Sequence, residues 1–472
     1  MRTHVKSSAG TGSSADPART LALTLLCRAE SENRPLDELI GELAVETAGD
    51  IDADPARDLD GRDLRFVRQL VAGVTKWRLH IDWILRPHSK RPLPELTATV
   101  RHALRLAVFQ MRWLDRVPAR AAVHSAVELT KCFEHRGAAS YANAVLRNLT
   151  RADEPIAYPD RETNLAHHLS VVHSHPRWLV ERWLSRWELP QTEALLRANN
   201  EHPLLYARRN PLRAGHDEFL RNLPAGAHPR QVDETTYEVS APEGFFQSPA
   251  FVKGQAYVQD VAASEPVRML APAIGERCLD LCAAPGGKAI QAAIAGKDEI
   301  ELIAVDRSPQ RLRLLRQSTQ RLGLSSIRCV ASDGDEIPLG QRTGFDRVLV
   351  DAPCSGTGVF RRHPDARWNK RAEDLPRHAK RQLQLLHSGF RHLRVGGVLV
   401  YSTCSLEMEE NDQVVESFLA QQPDARLDED TSDRPPRFQS VPGRDEGDGS
   451  FAVRLKKVAD HGEEPQIPRE AV

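Results

Sequence analysis

Two cysteines stand where a thiol could do chemistry, in Asp351-Ala352-Pro353-Cys354-Ser355-Gly356 and in Tyr401-Ser402-Thr403-Cys404-Ser405. Each motif closes a short apolar run, Val348-Leu349-Val350 and Val398–Tyr401, that reads as a β-strand. A lone cysteine is usually a small hydrophobe. Two at the ends of neighbouring strands suit covalent catalysis. A thiolate that adds to carbon 6 of a cytosine makes carbon 5, otherwise a poor nucleophile, able to take a methyl group from a sulfonium. Loss of the carbon-5 proton and expulsion of the thiol then restore aromaticity, so one hard step becomes several easier ones. A free thiol of pKa ~8.5 is only a few per cent ionised at neutral pH, so such a site must favour the thiolate. Asp351 could hydrogen-bond the protonated N3 or the amino group of the base as charge develops.

A second site lies upstream, where a strand runs into Asp280-Leu281-Cys282-Ala283-Ala284-Pro285-Gly286-Gly287-Lys288. Small residues and a glycine pair at a strand-to-helix turn let a ligand approach the backbone. The turn is not a phosphate-binding P-loop, because its G-x-x-x-x-G-K-[ST] spacing is absent. The next strand ends at Asp306, twenty residues after Gly286, where a nucleoside-binding sheet places the acid that accepts ribose hydroxyls. A third strand ends in Ala331-Ser332-Asp333-Gly334, where Asp333 could meet an adenine amino group. Each aspartate could instead cap a helix, and Pro309 just after Asp306 fits that role too.

Short apolar strands alternating with helices are needed to place these turns on one rim. The strands read as Cys278–Leu281, Leu302–Val305, Ile327–Val330, Arg347–Val350 and Val398–Tyr401, with helices such as Pro309–Leu322 and Pro376–Leu393. This βαβ series predicts a mostly parallel sheet with helices on both faces and ligands at the carboxyl ends of its strands. The region before it is helical. Leu96, Val100, Leu104 and Val108 mark one helix face, Pro118 opens a helix that lines up Ala122, Ala126 and Leu129, and Asn143, Leu146 and Leu149 suggest a last short helix. The expected fold class is therefore α plus α/β multidomain. Residues 1–17 and 459–472 are expected to be disordered tails, 18–150 an all-helical domain, 151–240 a small linking subdomain and 241–458 a Rossmann-like domain. Within 151–240, the Trp183 and Trp187 pairs with arginine could stack on bases, but tryptophan at helical spacing is more often core.

The 472 residues carry a formal net charge of -1, an average that conceals two basic segments. Lys76–Arg120 holds ten Lys/Arg against three Asp/Glu, and Arg361–Arg381 holds eight against three. Both could bind a nucleic-acid backbone, or serve as solvated helix faces. The seven cysteines show no zinc-ligand spacing, so no metal is expected and the thiols suit a reducing compartment. With no apolar run near ~18 residues, a cytoplasmic protein without membrane contact is expected.

The stretch from about Gln259 to Lys457 resembles the Nol1/Nop2/Sun family of RNA cytosine-5 methyltransferases, on the motifs Cys282–Lys288, Asp351–Gly356 and Thr403-Cys404-Ser405. The resemblance implies S-adenosylmethionine as cofactor, held by Cys282, Ala283, Ala284, Pro285, Gly286, Gly287, Lys288, Asp306, Asp333 and Asp351. It implies Cys404 as nucleophile, Cys354 as the group that aids product release, and a catalytic Asp351. DNA cytosine-5 methyltransferases use the Pro-Cys thiol instead, so the second cysteine favours RNA. The N-terminal region is similar to NusB-like RNA-binding proteins, in Leu104–Ala107, Val117-Pro118 with Ala121–Val123, and Asn143–Arg147. The two together form the layout of bacterial members that act on 16S rRNA, free or in an assembling small subunit, and a monomer is expected. The alternatives are a tRNA or 23S rRNA substrate, or a non-catalytic ribosome assembly factor. Two positions depart from the family pattern: Ala289 where threonine is usual, and Ser450-Phe451 in place of an aromatic pair.

Overall fold

The computed structural model describes residues 15–46, 59–152, 154–240, 243–335, 337, 344–429 and 435–459. Apart from residues 15–17 and 459, the two expected tails lie outside the described residues. The chain forms two units. One runs to Asn200 and takes in His363–Asn369; the other comprises Glu201–Arg362 and the chain from Lys370 onward. The sequence reading closes the helical domain at 150, whereas this division falls fifty residues later.

The first unit is helical: α1 (Pro17–Glu32), α2 (Leu36–Glu46), α3 (Gly61–Lys76), α4 (Arg78–Leu85), α5 (Ala98–Trp113), α6 (Ala119–Phe133), α7 (Arg136–Arg151), α8 (Leu165–His173), α9 (Arg177–Arg186) and α10 (Leu189–Ala198). Helix α5 is the axis of the core. Its buried face holds Val100, Leu104 and Val108 as the periodicity predicts, yet the helix is buried on its other sides as well. It therefore takes Arg101, His102 and Arg105 inside, and each finds a partner as buried polar groups must. Arg101 donates to the carbonyls of Leu93 and Leu96 and pairs with Glu30, His102 meets Glu30 at 2.8 Å, and Arg105 grips Asp82 at 2.7 Å. Ala122, Ala126 and Leu129 of α6 face the core as predicted, and α7 is a full helix rather than a short one. Trp183 is buried, which favours the core reading over base stacking.

The segment His363–Asn369 belongs to this helical unit although it lies within the second basic stretch of the sequence. It carries α16 (Ala366–Asn369). Arg367 is fully buried and donates to the carbonyls of Ser174 and Asn199 and to Asn200 Oδ1, at 3.2, 2.9 and 2.9 Å. Burial pulls its pKa down to about 9. Trp368 Nε1 donates to Thr75 O at 2.8 Å.

The second unit holds two sheets. The smaller is antiparallel in the order β2-β3-β1-β4, from β1 (Leu205–Arg209), β2 (His228–Gln231), β3 (Thr236–Ser240) and β4 (Ala256–Val258), with α11 (His216–Arg221) and α12 (Pro249–Val252) between its strands. The larger follows α13 (Glu265–Leu270) and has the order β10-β12-β9-β8-β5-β6-β7, with β11 paired to β12. Its elements are β5 (Arg277–Asp280), α14 (Gly287–Ala295), β6 (Glu301–Asp306), α15 (Pro309–Leu322), β7 (Ile327–Ala331), β8 (Phe345–Asp351), α17 (Leu375–His392), β9 (Leu393–Thr403), α18 (Asp412–Gln421), β10 (Ala425–Leu427), β11 (Arg437–Ser440) and β12 (Ser450–Lys457). Strands β5 to β9 are parallel; β12 pairs antiparallel with β9, β10 and β11. Neighbouring strand residues feed opposite cores: Cys278 packs among α14 and α15, and Leu279 among α17 and α18. The order of strand addition reverses at β5, with β6 and β7 added on one side and β8 and β9 on the other, so the carboxyl ends of β5 and β8 flank the crevice where such sheets bind ligands.

Replacing Arg367 by alanine leaves buried carbonyls without donors. Charge-assisted bonds contribute about 1.5–3 kcal/mol each, so Arg367→Ala should destabilise the helical unit by roughly 3 kcal/mol or more. Urea unfolding followed by tryptophan fluorescence checks this, and an unchanged midpoint would mean that the cation contributes nothing net.

Candidate active site

The two cysteine turns meet because β8 and β9 are adjacent and in register, with Asp351 opposite Ser402. Cys354 Sγ and Cys404 Sγ lie 3.3 Å apart as free, half-buried thiols. The turns are locked together. Gly358 N donates to Cys404 O at 2.9 Å, and a Cβ on Gly358 would stand 2.8 Å from that oxygen and 2.7 Å from Gly449 Cα, so only glycine fits. Ser355 N and Oγ, Ser405 Oγ and Gln382 Nε2 all donate to the carboxylate of Glu410, which is wholly buried beneath the pair. Tyr401 OH donates to Glu410 O at 2.6 Å, and Asn411 spans Thr403 Oγ1 and Ser405 O.

The thiols are electrostatically unequal. A hydrogen bond from Cys354 lowers the pKa of Cys404 against the opposing effects of burial and Asp351, and Lys288 adds to the lowering. Cys354 is pushed well up, first by its bond to Cys404, then by burial and by the charges of Cys404 and Glu410. The two shifts run in opposite directions and favour Cys404 over Cys354 for negative charge.

Lys288 reaches from the glycine-rich turn to the thiol rim. Its Nζ donates to Asp351 Oδ2 at 2.7 Å, while Ser402 Oγ donates to Asp351 Oδ1 at 2.8 Å. Burial works to lower the lysine pKa, but Asp351 outweighs it and the net direction is up. The turn itself bends at Gly286, whose φ of 115° is left-handed and whose Cβ would meet Leu315 at 2.3 Å. The Ala284-Pro285 peptide is cis. The pKa of the half-buried Cys282 is raised, chiefly by burial. Of the two departures from the family pattern, Ala289 lies in the first turn of α14 and packs in the core, and Ser450-Phe451 is buried at the start of β12, with Phe451 opposite Thr403.

Asp306 closes the next strand, with Oδ2 accepting from Ala284 N at 3.2 Å and Oδ1 from Ser308 N at 2.8 Å. The cap of α15 is Ser308 rather than Asp306. Asp306 Oδ2 also lies 3.6 Å from Arg311 Nη1, which leaves Oδ1 the freer oxygen for a ligand hydroxyl. Asp333 is half-exposed and bound by Arg381, which also takes Asp335. Its small burial would raise its pKa, but the Arg381 hydrogen bond makes the net shift downward. Asp280 carries an additional signal. It is 2 % exposed, its Oδ2 has no hydrogen-bond partner, and burial, then Asp351, push its pKa up to about 8. The structure therefore gathers Cys282–Lys288, Asp306, Asp351, Cys354 and Cys404 along the ends of β5, β6, β8 and β9, with Asp333 at the end of β7. Among the described residues, no group of three or more His, Cys, Asp and Glu is arranged to hold a metal.

Sequence reasoning missed Glu410, Ser355, Ser405 and Gln382. Glu410 stands in the acidic stretch Glu407-Met408-Glu409-Glu410, whose spacing does not say that Glu410 turns inward.

Three family descriptions match the chain: 16S rRNA methyltransferase RsmB/F over residues 267–456, the NusB family over 16–151, and a Methyltr_RsmF/B-like, ferredoxin-like domain over 175–234. The ribosomal RNA small subunit methyltransferase B of Cronobacter sakazakii is 33% identical over 403 residues, 84% of this chain and 91% of its own length. A probable ribosomal RNA small subunit methyltransferase B of Bacillus subtilis is 31% identical over 452 residues, 93% of this chain and 98% of its own. The crystal structure of PH0851 shares the fold, with a TM-score of 0.77 at 24% identity over 94% of this chain and 99% of that one.

The thiol asymmetry predicts a pH profile. Cys404 should be alkylated by iodoacetamide at lower pH than an ordinary thiol. Cys354→Ala removes the S–H that lowers Cys404, so the midpoint of that profile should move upward. A midpoint unmoved in the variant would show that Lys288, not Cys354, favours the thiolate.

Proposed function

The chain belongs to the 16S rRNA methyltransferase RsmB/F family, and from that membership we propose that it transfers a methyl group from S-adenosylmethionine to carbon 5 of a cytosine in 16S rRNA through a covalent Cys404 adduct. The observation that carries this reading is the pair of free thiols 3.3 Å apart at the ends of adjacent parallel strands. The residues present suit the cofactor. The small residues of the Cys282–Lys288 turn lie at a switch point, Asp306 Oδ1 has capacity for a ribose hydroxyl, and Asp280 offers an unpartnered buried oxygen. Acids at four strand ends also suit a cationic ligand, and Asp333 stands where the adenine amino group would be met. S-adenosylmethionine supplies an electrophilic methyl group when bound.

The chain's own residues do the rest. Cys404 adds as thiolate to carbon 6, forming the S–C6 bond and raising electron density at carbon 5. N3 takes up a proton as the thiolate adds, and Asp351, braced by Lys288 and Ser402, accepts hydrogen bonds from the protonated N3 or the amino group of the base and so stabilises the adduct. After methylation the carbon-5 proton leaves to a base that Cys354 provides or positions. The electron pair then reforms the C5–C6 bond as the S–C6 bond breaks and Cys404 departs as thiolate.

Incubation with labelled S-adenosylmethionine and transcripts of 16S rRNA, 23S rRNA or tRNA, read by mass spectrometry of nucleosides, tests the substrate. 5-Methylcytosine only in 16S rRNA is expected; label confined to another RNA would overturn that assignment.

Cys404→Ala should abolish methyl transfer while cofactor affinity stays near normal, and Cys354→Ala should accumulate a protein–RNA complex that survives denaturing electrophoresis. The reverse pattern would exchange the two roles. Asp306→Ala should weaken S-adenosylmethionine binding roughly ten- to a hundredfold, the worth of about 1.5–3 kcal/mol. An unchanged dissociation constant by calorimetry would make Asp306 a brace of the turn alone.

A further inference from the structure

Part of the charge in the two basic segments of the sequence is used within the structure. In Lys76–Arg120, Lys76 donates to Asn200 O, Arg101 and Arg105 are buried in pairs, and Arg78 lies over the ring of Trp368. In Arg361–Arg381, Arg361 and Arg362 grip Asp448, Arg362 also Asp260, Arg367 is internal, and Arg377 and Arg381 pair with Asp374, Asp333 and Asp335. These side chains have little capacity left for a polyanion.

A surface that draws only Arg120 from the basic residues of these segments keeps its charge. Helices α6 and α7 are joined by Glu134 and His135 alone and so lie antiparallel, and between them runs an open groove of about 870 Å³. Arg120, His124 and Lys131 line it from α6, and Arg136, Arg147 and Arg151 from α7. Their spacings of four, seven, eleven and four residues keep each set on one helix face. The one acid in the lining, Glu128, is taken by Lys131 at 2.7 Å. Arg120, Arg136, Arg147 and Arg151 are exposed and make no ion pair among the described residues. The antiparallel arrangement puts Arg120 at the same end as Arg147 and Arg151. At ~1.5 Å per residue the face from Arg136 to Arg151 is roughly 22 Å long, enough to follow several backbone phosphates.

We infer that the α6/α7 groove is the surface on which this protein grips the phosphodiester backbone of its RNA. This rests on the reading of RNA as substrate. Arg120, Arg147 and Arg151, clustered at one end without counter-charges, repel one another until a polyanion neutralises them, and Arg136 extends the positive face along the groove. Guanidinium groups also match phosphate oxygens in bidentate fashion, which suits this composition better than an apolar partner would. Such contacts fix register without reading sequence.

The test uses the full chain and transcribed 16S rRNA. Arg120→Gln/Arg147→Gln/Arg151→Gln should weaken binding roughly ten- to a hundredfold at moderate salt and reduce the slope of log affinity against log salt by about two to three. Calorimetric affinity for S-adenosylmethionine and the melting temperature should stay as in the parent. Substituting lysine at the same three positions should restore most of the slope, because charge is retained. A control, Arg313→Gln/Arg391→Gln/Arg426→Gln, removes equal charge from exposed sites on the other unit and should change little. Groove and control variants that weaken alike would overturn the inference, as would a groove variant that binds RNA with the parent's affinity and slope. So would a groove variant that binds RNA normally but fails only on ribosomal particles, which would assign the groove to an acidic protein. A parent without RNA affinity would overturn the substrate reading as well, so the two failures are distinguishable.

Discussion

Burying a carboxylate costs several kcal/mol unless its lone pairs are met, and Glu410 is buried completely. Its partners come from three places: Ser355 after β8, Ser405 after β9, and Gln382 on α17. The penalty is offset only when both turns and the helix occupy their positions together. The 3.3 Å approach of the thiols is a consequence of that requirement. The same carboxylate also raises the pKa of both thiols, so it holds the proton on Cys354 while acting against the thiolate on Cys404. Lys288 and the Cys354 S–H supply the opposing stabilisation, which makes the balance local and sensitive to single substitutions.

The cofactor side follows a related logic. Asp351 pairs with Lys288 and Asp280 also acts on it, while Asp306 is tied to backbone N–H groups and to Arg311. Asp280 is left with an unpartnered oxygen and a pKa pushed up to about 8. A buried acid held near neutrality is the group whose charge responds most when a cation arrives beside it. The turn and the rim thus form one electrostatic unit, linked through the Lys288–Asp351 pair.

Arginine serves three different ends in this chain. In the helical unit it fills the core, where Arg101, Arg105 and Arg367 satisfy carbonyls and acids that would otherwise be orphaned. Around the larger sheet it fastens loops, as Arg362 and Arg381 do. In the α6/α7 groove it stays free. Counting charges along the sequence cannot separate these uses, because burial is decided by neighbours distant in the chain.

The strand-and-turn alternation of the catalytic unit was legible in the residues, since a period of two with glycine and proline stops is a local property. Helix Pro309–Leu322 was found to the residue, and the five parallel strands within a few residues at their ends. The motifs were legible because covalent chemistry needs particular atoms in particular turns. Only the tertiary structure decided what those atoms experience. It alone brought Cys354 to Cys404, turned Glu410 inward from an acidic run, and assigned the strand at Ala256–Val258 to the smaller sheet. It also moved His363–Asn369 into the helical unit and with it the meaning of a basic stretch. The physical reason is common to all four. Composition and period fix how a segment folds on itself, whereas proton affinity, burial and free charge depend on partners fifty to two hundred residues away.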